Sequence, residues 1–278
     1  MDMPVLEHLR LSCSEDGRTA FLEIDHGKAN EMGSDQLREF ERLTRWLGTA
    51  GAPSTLISFS RRRSSRGTPI FIAGANVTER RGWSEDAVKE HVRWQRRTLI
   101  SLRKAPCFHI AVVEGVALGW GTEYLLTADY RIACDQASFA LPETGLGILP
   151  GAGGTSELVA HIGLAQTLRL GMTGERIDAD EAARIGLVEE RVVDVDAGLQ
   201  RATVLADLVA RRSPTALAAF KLAVHEANGL REEARAEAEA RAYEHCVHHG
   251  DAAIGREYFA QIRAGEVVPW PPRNLPRR

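Results

Sequence analysis

The stretch FHIAVVEGVALGWGTEYLLTADYRIACD, residues 108–135, decides how the chain is read. Its first eight residues are apolar and β-branched and read as a buried strand, and Tyr130 to Asp135 read as another. Between them the chain breaks at Gly119, Trp120 and Gly121, then restarts as a helix at about Gly121 with Glu123 in its first turn. Strand, glycine break, helix and strand in this order imply parallel strands joined by crossovers. Working outward, TAFLEID (19–25) and STLISFS (54–60) read as further strands. Residues 34–48 and 84–104 read as amphipathic helices, each with a serine, Ser34 or Ser84, placed to cap it. In the second helix Val88, Val92, Gln95, Leu99 and Leu102 share one face. The pattern predicts an α/β fold around a largely parallel sheet.

After about residue 198 the strand signals stop, and helix-forming residues continue with breaks at Pro214 and Gly229. The Ala/Glu/Arg-rich run at 231–242 reads as a solvated helix. Residues 267–278 are too proline-rich for a helix and read as an ordered arm or a frayed end.

The chain has 278 residues, 44% of them hydrophobic and 26% charged, enough to bury a core without staples. A net charge of −3 gives no overall electrostatic case for nucleic acid or an anionic membrane. Four widely spaced cysteines suggest neither a disulfide framework nor a metal site and fit a cytoplasmic setting. The segment MDMPVLEHLR lacks the apolar region of a signal peptide, and no apolar run approaches the length needed to span a bilayer. A basic loop, SRRRSSRGTP (60–69), reads either as mobile surface or as an attractor of a phosphorylated ligand.

Phosphate-loop, nucleophile-elbow and zinc-protease motifs are all absent from the sequence, and the nine histidines are scattered. Chemistry therefore has to come from three subtler features. At the start of the helix after Gly119, backbone N–H groups near Trp120 lack intrahelical partners and can bind an anionic oxygen. Glu123 lies in the same first turn. Twenty residues on, Glu143 follows Pro142 in the glycine-rich loop ALPETGLGILPGAGGT (140–155), so the two glutamates can act as an acid/base pair. Finally, PIFIAGANV (69–77) breaks at Ala73-Gly74-Ala75, where small residues let the Ala75 N–H face a ligand.

These three elements, in this order, resemble the enoyl-CoA hydratase/isomerase (crotonase) superfamily over nearly the whole chain. HGKANEMGSDQL (26–37) is similar to the family's early Lys-Ala-Asn segment, and RLGMTGERIDADEAARIGLVEERVV (169–193) to its connection into the helical end. The resemblance implies a crotonase-like ββα spiral core over residues 1–198 and a helical trimerisation region over 199–278. It also implies a homotrimer or a dimer of trimers that binds acyl-CoA, or an acyl-carrier-protein thioester, with no cofactor beyond the CoA of the substrate. Carried over by position, the amides of Ala75 and Trp120 form an oxyanion hole, Glu123 is the base for water and Glu143 the proton donor. Lys28, Ala29, Ala73, Gly74, Asn76, Val77, Gly119, Pro142 and Gly151 are then expected to contact substrate. The implied reaction is hydration of a 2-enoyl-CoA, as in fatty acid metabolism.

The sequence departs from the family pattern at three places. Trp120 stands where a glycine is usual; only its N–H is needed, and the indole is expected to wall the acyl pocket or to pack behind the site. Asn76 replaces an aspartate. The arginines at 61–63 and Arg66 lengthen a loop and could meet CoA phosphates, and Trp94 is a candidate pocket lining. The presence of both glutamates favours hydration over a Δ3,Δ2-enoyl-CoA isomerase, and a non-catalytic scaffold is the remaining alternative.

Overall fold

The computed structural model describes residues 2–275. In chain order its strands are β1 Leu9–Cys13, β2 Thr19–Ile24, β3 Thr55–Phe59, β4 Ile70–Ile72, β5 Phe108–Val113, β6 Val116–Leu118, β7 Tyr130–Cys134, β8 Ser138–Ala140, β9 Ile177–Asp178 and β10 Glu190–Val192. The helices are α1 Ser34–Leu47, α2 Glu85–Arg103, α3 Trp120–Leu125, α4 Leu158–Thr173, α5 Ala179–Ile185, α6 Val195–Ala210, α7 Pro214–Ala227, α8 Glu232–His248, α9 Asp251–Glu257 and α10 Phe259–Arg263. Two short 3-10 turns lie at Val77–Arg80 and Pro142–Leu146.

Two sheets carry the core. The larger runs β1-β2-β3-β5-β7-β10, parallel except for β1, and the smaller runs β4-β6-β8-β9, parallel except for β9. Each of β3, β5 and β7 is followed by a three-residue strand of the smaller sheet and then by a helix or helical turn. The first turn of the spiral uses Met32, bridged to Ala75, in place of that short strand. This is the expected ββα spiral. Its consequence is positional: β4, β6 and β8 are parallel neighbours, with one register shift in β4 between Ile70 and Ile72, so the segments leaving their C-terminal ends lie side by side.

The reading of 108–135 needs one correction. The chain does not pass from strand straight into helix, because β6 intervenes and belongs to the second sheet. Three residues are too few to show a periodicity of their own.

α1 buries Leu37, Phe40, Leu43, Trp46 and Leu47, the i, i+3, i+4 spacing of one face, each worth roughly 1.5–3 kcal/mol of transfer free energy. Ser84 caps α2 as expected, its Oγ accepting from the Ala87 N–H at 3.2 Å. Ser34 is not a cap: Gly33 occupies that position, and the Ser34 N–H donates to Glu79 Oε2 at 3.0 Å. An acid from another element thus meets the positive end of the α1 dipole. On α2, Gln95, Leu99 and Leu102 are buried with His91 and Thr98, and Val88 and Val92 are half-buried.

Among the described residues from Val195 onward, every regular element is helical. Residue 198 falls within α6, which packs on β3, β5 and β7. Lys221 of α7 ties the helical end to the core, donating to Asp129 Oδ2 at 2.6 Å and to the Cys107 carbonyl at 2.8 Å. The proline-rich tail runs back over the body, and the buried Arg273 donates to the carbonyls of Pro106, Leu47 and Thr49. The tail's last residues, 276–278, lie outside the described ones. Among the described residues, no helix is long and apolar enough to cross a membrane.

Candidate active site

The site is made where β4, β6 and β8 end. In the bridge between Met32 and Ala75, the Met32 N–H donates to Gly74 O at 2.9 Å and the Asn76 N–H to Met32 O at 2.8 Å. Successive peptides of an extended chain face opposite ways, so the N–H of Ala75 points away from Met32, toward β6. On the neighbouring strand, the Gly119 N–H donates to Ala140 O at 2.8 Å and α3 begins at Trp120. The Trp120 N–H, first in its helix, is an orphan donor. Among the described residues neither amide, Ala75 or Trp120, donates a hydrogen bond.

Two glycines make this possible. Gly119 sits at φ +51°, a backbone that other residues rarely adopt, and turns the chain from strand to helix. Gly121 lets α3 touch β4: a Cβ there would lie 2.3 Å from Ile72 O.

The two acids enter from different turns of the spiral. Glu123, 3% exposed, sits one turn into α3, and its Oε1 accepts from the N–H of Ala152 at 2.7 Å and of Gly154 at 2.9 Å. Burial pushes its pKa up, while the amides of Gly154, Ala152 and Gly153 pull it back. Glu143, on the 3-10 turn after β8, is 9% exposed; a Cβ on Gly119 would meet its Oε1 at 2.5 Å, so its carboxyl lies against the residue that precedes the Trp120 amide. Its Oε2 is buried without a hydrogen-bond partner. Burial pushes the Glu143 carboxyl up to about 7, and the Glu123 charge adds to the rise. An oxygen at the two amides would therefore have one acid poised near neutrality and a second fixed by backbone N–H groups close by.

Of the other expected contacts, Ala29 and Ala73 are joined, the Ala73 N–H donating to Ala29 O at 3.1 Å, and Lys28 is exposed beside them. Gly74 lies against Leu118 O, and Val77 is exposed at the start of its 3-10 turn. Asn76 caps that turn, accepting from the Glu79 N–H at 3.2 Å. Pro142 opens the turn that carries Glu143, and Gly151 O accepts from Arg96 Nε at 2.8 Å.

The structure also places the other residues singled out in the sequence. Of the two positions expected for the Trp120 indole it takes the one behind the site: it is 2% exposed, packed with Phe40 and Tyr124 at centroid separations of 5.9 and 5.8 Å. Trp94, a candidate pocket lining, is half-buried; its Nε1 donates to Glu41 Oε1 at 2.7 Å and Arg38 stacks over its ring, which joins α2 to α1. In the basic loop, Arg61 pairs with Asp196 at 2.5 Å, Arg62 with Asp25 at 2.8 Å and Arg63 with Glu114 at 3.3 Å, so these charges are already engaged by carboxylates. Arg66 is exposed.

The sequence reading missed the amides of Ala152 and Gly154 as the holders of Glu123, although the glycine spacing at 151–154 was a signal that backbone would approach something closely. It also missed what Asn30 does. At φ +52°, fully buried, its Nδ2 donates to Ile24 O, Ser60 Oγ and Phe71 O at 2.9–3.0 Å and ties three segments together beside Ala29.

Comparison with known proteins agrees with this architecture. The family described as "Enoyl-CoA hydratase/isomerase" matches residues 65–266. YngF of Bacillus subtilis is 37% identical over 241 residues, covering 84% of this chain and 88% of that protein. The short-chain-enoyl-CoA hydratase of Clostridium acetobutylicum is 32% identical over 212 residues, covering 76% and 79%. Among solved structures, the enoyl-CoA hydratase of Bacillus anthracis superposes with a TM-score of 0.85 at 29% identity, covering 95% of this chain and 99% of that one.

Proposed function

The chain belongs to the enoyl-CoA hydratase/isomerase family, and from that premise we propose that it is a hydratase, adding water across the 2,3 double bond of a 2-enoyl-CoA thioester. The observation that carries the reading is the pair of buried carboxyls beside two orphan amides, one raised to about 7 and the other held by backbone N–H groups. In this mechanism the N–H groups of Ala75 and Trp120 polarise the thioester carbonyl and make C3 electrophilic. Water adds its oxygen to C3 and gives a proton to Glu123. The enolate oxygen stays on the two amides while Glu143 delivers its proton to C2. Transfer of a proton from Glu123 to Glu143 restores the starting state, so one water is consumed and no other co-reactant is needed.

The test is loss of the enoyl-thioester absorbance when the protein meets crotonyl-CoA and longer 2-enoyl-CoAs, with identification of the product. A 3-hydroxyacyl-CoA supports hydration. A shifted double bond with no uptake of water would make it an isomerase instead, and silence across the panel would sink both.

A pH dependence follows with a definite sign. Glu143 must be protonated to donate, so the hydration rate is expected to fall as pH rises through about 7. On the acid side the rate falls as Glu123 takes up a proton, and the two limbs report the pair rather than either residue. A profile of kcat/KM, which reports the free protein, flat from pH 6 to 9 would remove Glu143 from the donor role.

The proposal extends to assembly and setting. Leu146, Ile148, Leu149, Leu164, Leu168 and Met172 are exposed apolar side chains clustered in sequence on and before α4, and they support burial against a second copy, as in a homotrimer or a dimer of trimers. A cytoplasmic location and the use of CoA without a further cofactor complete the reading.

A further inference from the structure

Arg80 closes the 3-10 turn that follows the Ala75 amide. Its Nε and Nη2 are both shielded from solvent and donate to nothing, and among the described residues no other arginine has two such nitrogens. Where other arginines have one, the rest of the side chain is engaged: Arg62 by Asp25, Arg131 by Glu189, Arg169 by Glu181 and Arg273 by backbone carbonyls. The adjacent Glu79 makes no ion pair with Arg80: its carboxylate accepts from the N–H and hydroxyl of Ser34, and its charge only partly offsets the burial of the guanidinium. Beside Arg80 on α2 is His91, buried and packed edge-on against Trp83 and Trp94, with Nε2 unpartnered. Burial and the Arg80 charge both lower the His91 pKa, with Glu79 opposing, so the imidazole is held neutral and Arg80 is the local cation. One turn along the same face, Gln95 Nε2 is likewise buried and unpartnered.

Arg80 and Gln95 donate, the neutral His91 does so as its Nε2–H tautomer, and what they lack is an acceptor. A guanidinium withdrawn from water without an anion is costly, and its planar fork matches a carboxylate. The position fits a substrate. Arg80 is five residues from Ala75, and α2 reaches the acid loop one turn further on: a Cβ on Gly151 would lie 2.8 Å from Val92 Cγ1, and Arg96 donates to Gly151 O. The turn that carries Arg80 therefore adjoins the oxyanion segment in the chain, and the helix that carries His91 and Gln95 touches the loop that holds Glu123. We propose that Arg80, with His91 and Gln95 beside it, binds a carboxylate at the far end of the acyl chain, so that the substrate is the enoyl thioester of a dicarboxylic acid. This rests on the reading of the site as one for enoyl thioesters.

The test is calorimetric binding of glutaryl-CoA and pentanoyl-CoA, unreactive thioesters of equal chain length that differ in the terminal carboxylate. The native protein is expected to bind glutaryl-CoA at least about tenfold more tightly, the scale of one charge-assisted contact. Arg80→Met should erase that preference while leaving pentanoyl-CoA within about twofold, and Arg80→Lys should keep part of it. Equal binding of the two by the native protein, or a preference that survives Arg80→Met, would overturn the proposal. So would a loss in Arg80→Met that is equal for both CoA thioesters and absent for their pantetheine counterparts, since the guanidinium would then read a CoA phosphate. The measurement needs no turnover. A protein that prefers glutaryl-CoA but hydrates no 2-enoyl-CoA would sink the hydratase reading and leave this one standing; one that hydrates crotonyl-CoA without the preference does the reverse. Should Arg80→Met not fold, Arg80→Gln carries the same comparison.

Discussion

Glu143→Gln is expected to lower kcat for hydration by roughly 10²- to 10⁴-fold, with KM little changed, because the amide keeps the shape of the side chain and cannot give up a proton to C2. Glu123→Gln should cost a similar factor, since its amide cannot accept the proton of water. In the proposed mechanism the two acids act in one step, so the double variant is expected to be no worse than about tenfold below the poorer single, far short of the product of the two. Folding supplies a control with the opposite sign. The folded-state pKa of Glu143, about 7, lies above its ordinary 4.5, so its ionised form opposes folding. That penalty is absent below 4.5 and complete above about 7. Glu143→Gln should therefore unfold no more easily than the native protein at pH 8, and by on the order of 1 kcal/mol less easily. A variant with full activity, or one that is inactive only because it melts, would contradict the assignment; steady-state kinetics and thermal melts at pH 5 and 8 decide it.

Gly121→Ala should be nearly as damaging although it removes no functional group. The added Cβ would meet Ile72 O at 2.3 Å, and neither backbone can yield without moving α3 away from β4. Overpacking of this kind costs roughly 1–3 kcal/mol of stability. The larger effect is expected on chemistry, because the two strand ends carry one each of the amides proposed to hold the oxyanion. Displacing Trp120 relative to Ala75 removes one donor from the oxyanion, a loss of about 10²- to 10³-fold in kcat. Gly51→Ala is the control, since nothing lies within 4 Å of its added Cβ, and should leave rate and melting temperature unchanged. Equal kcat for the two glycine variants would show that the spacing of the amides is not what the close approach at Gly121 secures.

Several parts of this arrangement were legible in the chain because they are local. The apolar runs of β2, β3, β5 and β7 and the amphipathic faces of α1 and α2 are properties of consecutive residues. An orphan amide at Trp120 follows from a helix starting after Gly119, and the order of the three site segments suffices for the family resemblance. The second sheet was not legible. β4, β6 and β8 are three residues each, and their pairing is between segments far apart in the chain. Nor was the cap of α1, since the acid at Ser34 comes from Glu79, 45 residues away.

The sequence by itself determined which groups are candidates for the site: two amides beside glycines and two carboxylates, each written into a few neighbouring positions. Only the tertiary structure decided what those groups became. The fate of the Trp120 indole depended on the space left between Phe40 and Tyr124. The engagement of Arg61, Arg62 and Arg63 depended on Asp196, Asp25 and Glu114 from other elements. Burial raised Glu143 to about 7 and left two nitrogens of Arg80 without a hydrogen-bond partner. The physical reason is common to all of these. Side-chain identity is a local property, whereas desolvation and pairing are set by whatever the rest of the chain packs around a group, and they decide whether a charge is solvated, satisfied or poised.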